Sequence, residues 1–173
     1  MNLANGLTLL RICAIPLLLV LLSVPHVSDT QKIIDLLVFL AITFTDYLDG
    51  FLARKLKQET NMGQLLDPLA DKMLVFSLLL WFIAAQKIAY YWVAILLFRE
   101  MAVLGLRSIA ALQKVVIKAD RLGKIKTVWQ YVTLAWLILE LPFVDLWVIG
   151  MVIITLISGF NYFYENREVL KSG

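Results

Sequence analysis

The chain has 173 residues, 61% of them apolar and 17% charged, with 8 glycines, 4 prolines and a formal net charge of +3. An ordinary domain is about 45–50% apolar and about 25% charged, so disorder, a collagen-like chain and a conventional water-soluble domain are excluded. One cysteine, Cys13, also excludes a disulfide framework and a thiolate metal site, which leaves a membrane protein.

A hydrocarbon core about 30 Å thick takes roughly 20 apolar residues in a helix. Six stretches between charge clusters have that character: residues 7–24, 33–53, 65–85, 89–112, 125–141 and 143–164. The first has a single basic residue near its start and no small-x-small cleavage pattern, so it reads as a retained span rather than a signal peptide. Between the last two, Glu140, Pro142 and Asp145 form a minimal connector. Long apolar runs rather than alternation disfavour a β-barrel. With no linker, low-complexity tract or internal repeat, residues 1–173 read as one all-α, six-helix transmembrane bundle.

Six spans put both termini on one side. Connectors there carry Arg54, Lys55 and Lys57, then Lys114, Lys118, Arg121, Lys124 and Lys126, and the tail adds Arg167 and Lys171. The opposite connectors hold only Lys32 and Lys87. The positive-inside bias predicts cytoplasmic termini and cytoplasmic basic loops. Part of that basicity serves topology alone.

The informative residues are acids near span ends. Asp46 and Asp49 lie towards the cytoplasmic end of the second span, and Asp67 and Asp71 open the third. At 100° per residue, Asp46, Asp49 and Ala53 share a face, and Asp67 and Asp71 sit one turn apart. The short connector makes these helices antiparallel neighbours, so both pairs can address one volume. Four carboxylates at mid-bilayer would cost on the order of 10–14 kcal/mol, less near the interface. A wet cavity with shared cations offsets that cost, and an all-oxygen site suits Mg²⁺ or Mn²⁺. Two metal ions held by shared carboxylates form a clamp for displacement at phosphorus. Singly, each acid has a structural reading; Asp67-Pro68 also fits an N-cap followed by proline at the first helical position.

Written out, Asp46-Tyr-Leu-Asp49-Gly50-Phe-Leu-Ala53-Arg54 is followed by eight residues, Gly63, three residues, Asp67, three residues and Asp71. This resembles the signature of the CDP-alcohol phosphotransferases, with no position missing. The resemblance implies six transmembrane helices, a homodimer and a CDP-diacylglycerol donor whose pyrophosphate lies at the cytoplasmic end of the cavity. It assigns Asp46, Asp49, Asp67 and Asp71 to divalent metal, with Asp71 also the general base that takes the proton of the acceptor hydroxyl. The alkoxide would then attack the phosphorus bearing the lipid, and CMP would leave. Positioning and charge must carry most of the catalysis, because a carboxylate is a weak base for an alcohol. Gly50, Gly63 and Ala53 leave room for the nucleotide, and Arg54 is placed to meet a phosphate or an acid. For the two glycines helix packing is the competing reading, and for Arg54 a topology charge.

The acceptor is read elsewhere. Arg99 and Glu100 fall in the middle of the fourth span, and Arg107 follows two turns later, about 80° around the helix. An arginine inside a span is expensive and by default functional, unless it forms an internal Arg–Glu pair. Gly123-Lys124-Ile-Lys126-Thr127 opens the fifth span, either as a topology cluster or as part of a cationic pocket. Arg99, Arg107, Lys124, Lys126 and Thr127 together would suit an acceptor carrying its own phosphate. This pattern, with Asn5, Thr8 and Arg11 at the start, is similar to the bacterial phosphatidylglycerophosphate synthase branch of the family, over roughly residues 2–130. Ala4 stands where that branch often has proline, and Asn5 can still cap the first helix. The resemblance implies sn-glycerol 3-phosphate as acceptor, Asn5, Thr8, Arg11, Asp49, Gly50, Ala53, Arg54, Gly63 and Asp67 around the CDP-lipid, and a bacterial inner-membrane location with the active site facing the cytoplasm.

Other readings stay open. Arg11 also suits a snorkelling interfacial charge. Inositol phosphate, serine or phosphatidylglycerol are alternative acceptors within the family. Intramembrane acids also suit a divalent-cation transporter, although acids clustered at one end among basic residues fit conduction poorly. A catalytically silent membrane scaffold is the third reading. Cys13 and His26 read as inert, and Tyr90, Tyr91, Trp92, Tyr162 and Tyr164 read as an interfacial aromatic belt.

Overall fold

The computed structural model describes residues 3–24, 29–55, 61–113, 115, 117 and 121–171; residues 3–5, 7, 46–55, 61–68, 170 and 171 are described by backbone alone. Among the described residues there are seven helices and no strand: α1 (Leu3–Leu22), α2 (Asp29–Lys55), α3 (Asn61–Ala84), α4 (Tyr90–Leu112), α5 (Arg121–Ile138), α6 (Val144–Glu165) and the short α7 (Arg167–Lys171). Each of the six predicted apolar runs falls on one of α1–α6. Among the described residues, α6 is the one helix long and apolar enough throughout to cross a bilayer, and Thr8–Leu22 is a shorter apolar stretch. In α4 and α5 it is charge that lowers the apolar character: α4 carries Arg99, Glu100 and Arg107, and α5 carries Arg121, Lys124 and Lys126.

Two boundaries differ from expectation. α1 begins at Leu3, so Asn5 lies inside the helix and does not cap it. α3 begins at Asn61, so helical backbone runs through Gly63 and Asp67-Pro68; that proline is not at the first helical position. Met62, Gln64, Leu65 and Leu66 are good helix formers, and they let the helix extend upstream of the capping pattern despite Gly63.

The chain divides into two compact units. The first comprises Met1–Phe82 with Leu137–Glu140. Here Thr8, Arg11, Ile15, Leu18 and Leu22 are buried at alternating spacings of three and four, which is one stripe of a helix, and α1 packs along α2. On α2 the buried positions Asp35, Phe39 and Ile42 repeat that spacing. Trp81 of α3 donates its indole N–H to Ser23 Oγ at 3.1 Å, tying the end of α3 to the residue after α1. Lys32 bonds Glu140 at 2.8 Å, and this hydrogen bond holds the ammonium above its ordinary pKa against the opposing effect of desolvation.

The second unit comprises Ile83–Trp136 and Leu141–Gly173. α4 packs on α6 and α7. The buried face of α4 is Val93, Leu96, Arg99, Glu100, Val103, Leu106 and Ala110; that of α6 is Val148, Met151, Val152, Thr155, Ser158, Gly159 and Tyr162. Cross-links pair Arg99 with Ser158, Arg107 with Tyr162 and Gln113 with the carbonyl of Val169, so the chain from α4 runs in the same direction as the chain from α6. Val103, Leu106, Ala110, Tyr162 and Val169 make one apolar cluster at the end of this pair. At the other end Trp147 stacks on Trp136 at 4.6 Å between ring centroids. The connector turns sharply there, with Glu140 and Phe143 both at positive φ.

Candidate active site

In the first unit, helical backbone carries Asp46 and Asp49 one turn apart on α2, and Asp67 and Asp71 one turn apart on α3. The side chains of Asn5, Asp46, Asp49, Gly50, Ala53, Arg54, Gly63 and Asp67 lie outside the described residues, as do Lys57, Lys114, Lys118 and His26 altogether. Asp71 is half-buried. Thr8 and Arg11 are each 1% exposed and occupy successive positions of the buried stripe of α1. Arg11 is therefore not a snorkelling interfacial charge: its guanidinium is inside, on the same stripe as the apolar Ile15 and Leu18.

The second unit gathers the other predicted set. Arg99, Arg107, Lys124, Lys126 and Thr127 all line one cavity of about 390 Å³, together with Glu100, Val103, Gly123, Val128 and Tyr162. α4 supplies the arginines and α5 the lysines. The 80° offset between Arg99 and Arg107 does not separate them, because long side chains from one helix face reach a common space.

Glu100 is the electrostatic hinge of this cavity. Its Oε1 accepts from Arg99 Nη1 at 2.8 Å and from Lys126 Nζ, and all three side chains are nearly buried. The Arg99–Glu100 pair exists, but it is not closed on itself. Arg99 Nη2 donates to Ser158 Oγ at 2.8 Å, while the buried Nε of Arg99 has no hydrogen-bond partner among the described residues. Arg107 Nε donates to the Tyr162 hydroxyl at 2.9 Å, with the guanidinium carbon 5.4 Å from the ring centroid. Thr127 lines the cavity, yet its hydroxyl donates to the carbonyl of Gly123 one turn back.

Four cationic side chains thus face one carboxylate. The surplus positive charge, carried partly by planar guanidinium forks, is the chemistry that binds a phosphate dianion. Reading the sequence locally did not single out Glu100's link to Lys126, nor Ser158, Gly159 and Tyr162 as part of this arrangement. Tyr162 is a correction: it is 3% exposed and holds Arg107, so it is not a member of an interfacial belt. The small pair Ser158-Gly159 in an otherwise bulky apolar helix was the one available signal. Asp35 is a further buried acid, accepting from Gln31 Nε2 at 3.3 Å.

The profile of the CDP-alcohol phosphatidyltransferase family matches residues 1–159. A Bacillus subtilis (strain 168) protein is 36% identical over 189 aligned residues, covering 99% of this chain and 98% of its own length. A Rickettsia bellii protein is 34% identical, covering 94% and 93%, and a Salmonella choleraesuis protein is 36% identical, covering 79% and 76%. All three carry the name CDP-diacylglycerol–glycerol-3-phosphate 3-phosphatidyltransferase. On the family match and on these similarities, the chain belongs to the CDP-alcohol phosphatidyltransferase family.

Proposed function

We propose that this chain is an enzyme that transfers the phosphatidyl group of CDP-diacylglycerol to sn-glycerol 3-phosphate, releasing CMP and forming phosphatidylglycerophosphate. The observation that carries the acceptor assignment is the single cavity lined by Arg99, Arg107, Lys124, Lys126 and Thr127. A serine or phosphate-free polyol has no group to match that surplus positive charge, whereas a phosphate dianion does. The names of relatives that match nearly the whole chain support the same reaction.

The reaction needs a proton acceptor, a held donor and a held acceptor. Asp71 takes the proton from the attacking hydroxyl as the new oxygen–phosphorus bond forms and the bond to CMP breaks. Arg99, Arg107, Lys124 and Lys126 hold the acceptor's phosphate, and Thr8 and Arg11 contact the CDP-lipid with Asn5, Asp49, Gly50, Ala53, Arg54, Gly63 and Asp67. Asp46, Asp49, Asp67 and Asp71 form an all-carboxylate donor set, paired one turn apart on α2 and on α3, which fits a hard divalent cation, Mg²⁺ or Mn²⁺. Two such ions would supply charge neutralisation at the pyrophosphate.

The chain is a single six-span domain of the bacterial inner membrane, with both termini and the active site on the cytoplasmic side, and it works as a homodimer. The support is the one-sided distribution of basic residues and the apolar exterior, where Leu17, Val20, Phe98, Leu112 and Phe160 are all more than half exposed. The deciding experiment supplies purified protein with CDP-diacylglycerol, Mg²⁺ or Mn²⁺, and a panel of acceptors. CMP release dependent on glycerol 3-phosphate is expected. Release only with serine, inositol phosphate or phosphatidylglycerol would overturn the acceptor, and metal flux into proteoliposomes without CMP release would favour a transporter.

A further inference from the structure

We infer that Ser158 and Tyr162 of α6 are positioning residues that set the affinity for the acceptor's phosphate by fixing the guanidiniums of Arg99 and Arg107. The inference rests on the acceptor reading above and extends the site to a helix that contributes no charge to it.

Each arginine is gripped through a different atom. Tyr162 accepts from Arg107 Nε at 2.9 Å, which turns the side-chain stem towards α6 and leaves the terminal Nη1 and Nη2 hydrogens of the fork for another partner. Those are the parallel donors that suit two oxygens of one phosphate. The ring lies under the guanidinium as well, so rotation is opposed both by the hydrogen bond and by the aromatic face. Without this grip, Arg107 is a long exposed side chain with many rotamers to lose on binding.

Ser158 does the corresponding work for Arg99, accepting from Nη2 at 2.8 Å while Glu100 accepts from Nη1. Gly159 makes the approach possible. A Cβ built at that position would lie 2.9 Å from Arg99 Cγ and 3.1 Å from Nε, so the arginine stem rests directly on the backbone of α6. Ser158, Gly159 and Tyr162 are all within one turn. A rotation or slide of α6 against α4 would therefore move both arginines together, which ties phosphate affinity to the packing of this helix pair. Tyr162 also lines the cavity, so its grip on Arg107 is made at the cavity wall.

The test compares the full-length wild-type protein with Tyr162→Phe and Ser158→Ala by two readouts. One is steady-state kinetics in mixed micelles with both substrates varied. The other is the inorganic phosphate concentration that gives half of the maximal thermal stabilisation. Tyr162→Phe keeps the buried ring and removes the acceptor atom. A rise of about three- to tenfold in KM for glycerol 3-phosphate and in the phosphate midpoint is expected, with kcat and KM for CDP-diacylglycerol within about twofold. Ser158→Ala should show the same split. Unchanged phosphate midpoints in both variants, or equal changes in both substrates' KM, would overturn the positioning role. If the wild type makes no use of glycerol 3-phosphate, the acceptor reading fails instead, and the phosphate midpoints still decide the role of α6.

Discussion

Glu100 of α4 and Lys126 of α5 share a hydrogen bond through the same carboxylate oxygen that receives Arg99. Two buried cations from two helices therefore depend on one acid. Removing one partner of a buried ionic cluster leaves unmatched charge, at a cost of about 3–5 kcal/mol. Glu100→Ala should lower thermal stability in detergent by that order, whereas Glu100→Gln, which retains a carbonyl acceptor, should lower it less. Unfolding curves of the two variants side by side check the ranking.

Arg107 is exposed and faces the cavity, so its loss should spare the fold and weaken the acceptor. A charge-assisted hydrogen bond contributes about 1.5–3 kcal/mol, which corresponds to roughly a ten- to hundredfold change in affinity. Arg107→Ala is expected to raise KM for glycerol 3-phosphate by that factor with little change in KM for CDP-diacylglycerol. Lys124→Ala should act in the same direction and more weakly, since a lysine is a point charge rather than a fork. Both effects should shrink as ionic strength rises.

Asp71→Asn tests the base. Loss of a positioned proton acceptor costs about 10²–10⁴ in rate. Turnover at saturating divalent cation and CDP-diacylglycerol should fall by that much. Unchanged turnover would remove Asp71 from the chemistry.

The Lys32–Glu140 contact makes an alkaline prediction. The folded-state pKa of Lys32 lies above its ordinary 10.5, chiefly because of the hydrogen bond to Glu140. The contact's contribution is therefore complete below about pH 10 and is lost as pH rises through the raised folded value. Lys32→Gln should remove that alkaline loss, seen as a flatter dependence of melting temperature on pH above about pH 10.

What was legible in the sequence depended on how locally each feature is encoded. All six apolar runs became helices because long apolar stretches carry a strong signal, and the family signature was visible because its residues stand at fixed spacings. The Asp67-Pro68 cap pattern misled: turn chemistry competes with a helix already under way from Asn61, and here the helix prevailed. The snorkelling alternative for Arg11 stayed open because burial of a charged residue depends on what covers it, and no neighbour in sequence reports that. Tyr162 looked like an interfacial aromatic for the same reason. Its partner Arg107 is 55 residues away, and Ser158 and Arg99 are 59 apart, so neither pairing leaves a local pattern. Arg99, Arg107, Lys124 and Lys126, which line one cavity, were nevertheless conspicuous in the sequence, because charges inside apolar helices are rare.

The most direct measurement follows isotope-labelled glycerol 3-phosphate incubated with the purified protein, unlabelled CDP-diacylglycerol and Mg²⁺ or Mn²⁺. Label should pass into the organic-soluble lipid fraction in amounts equal to the CMP released, and both should vanish without divalent cation. CMP release with the label left in the aqueous phase would contradict glycerol 3-phosphate as the acceptor.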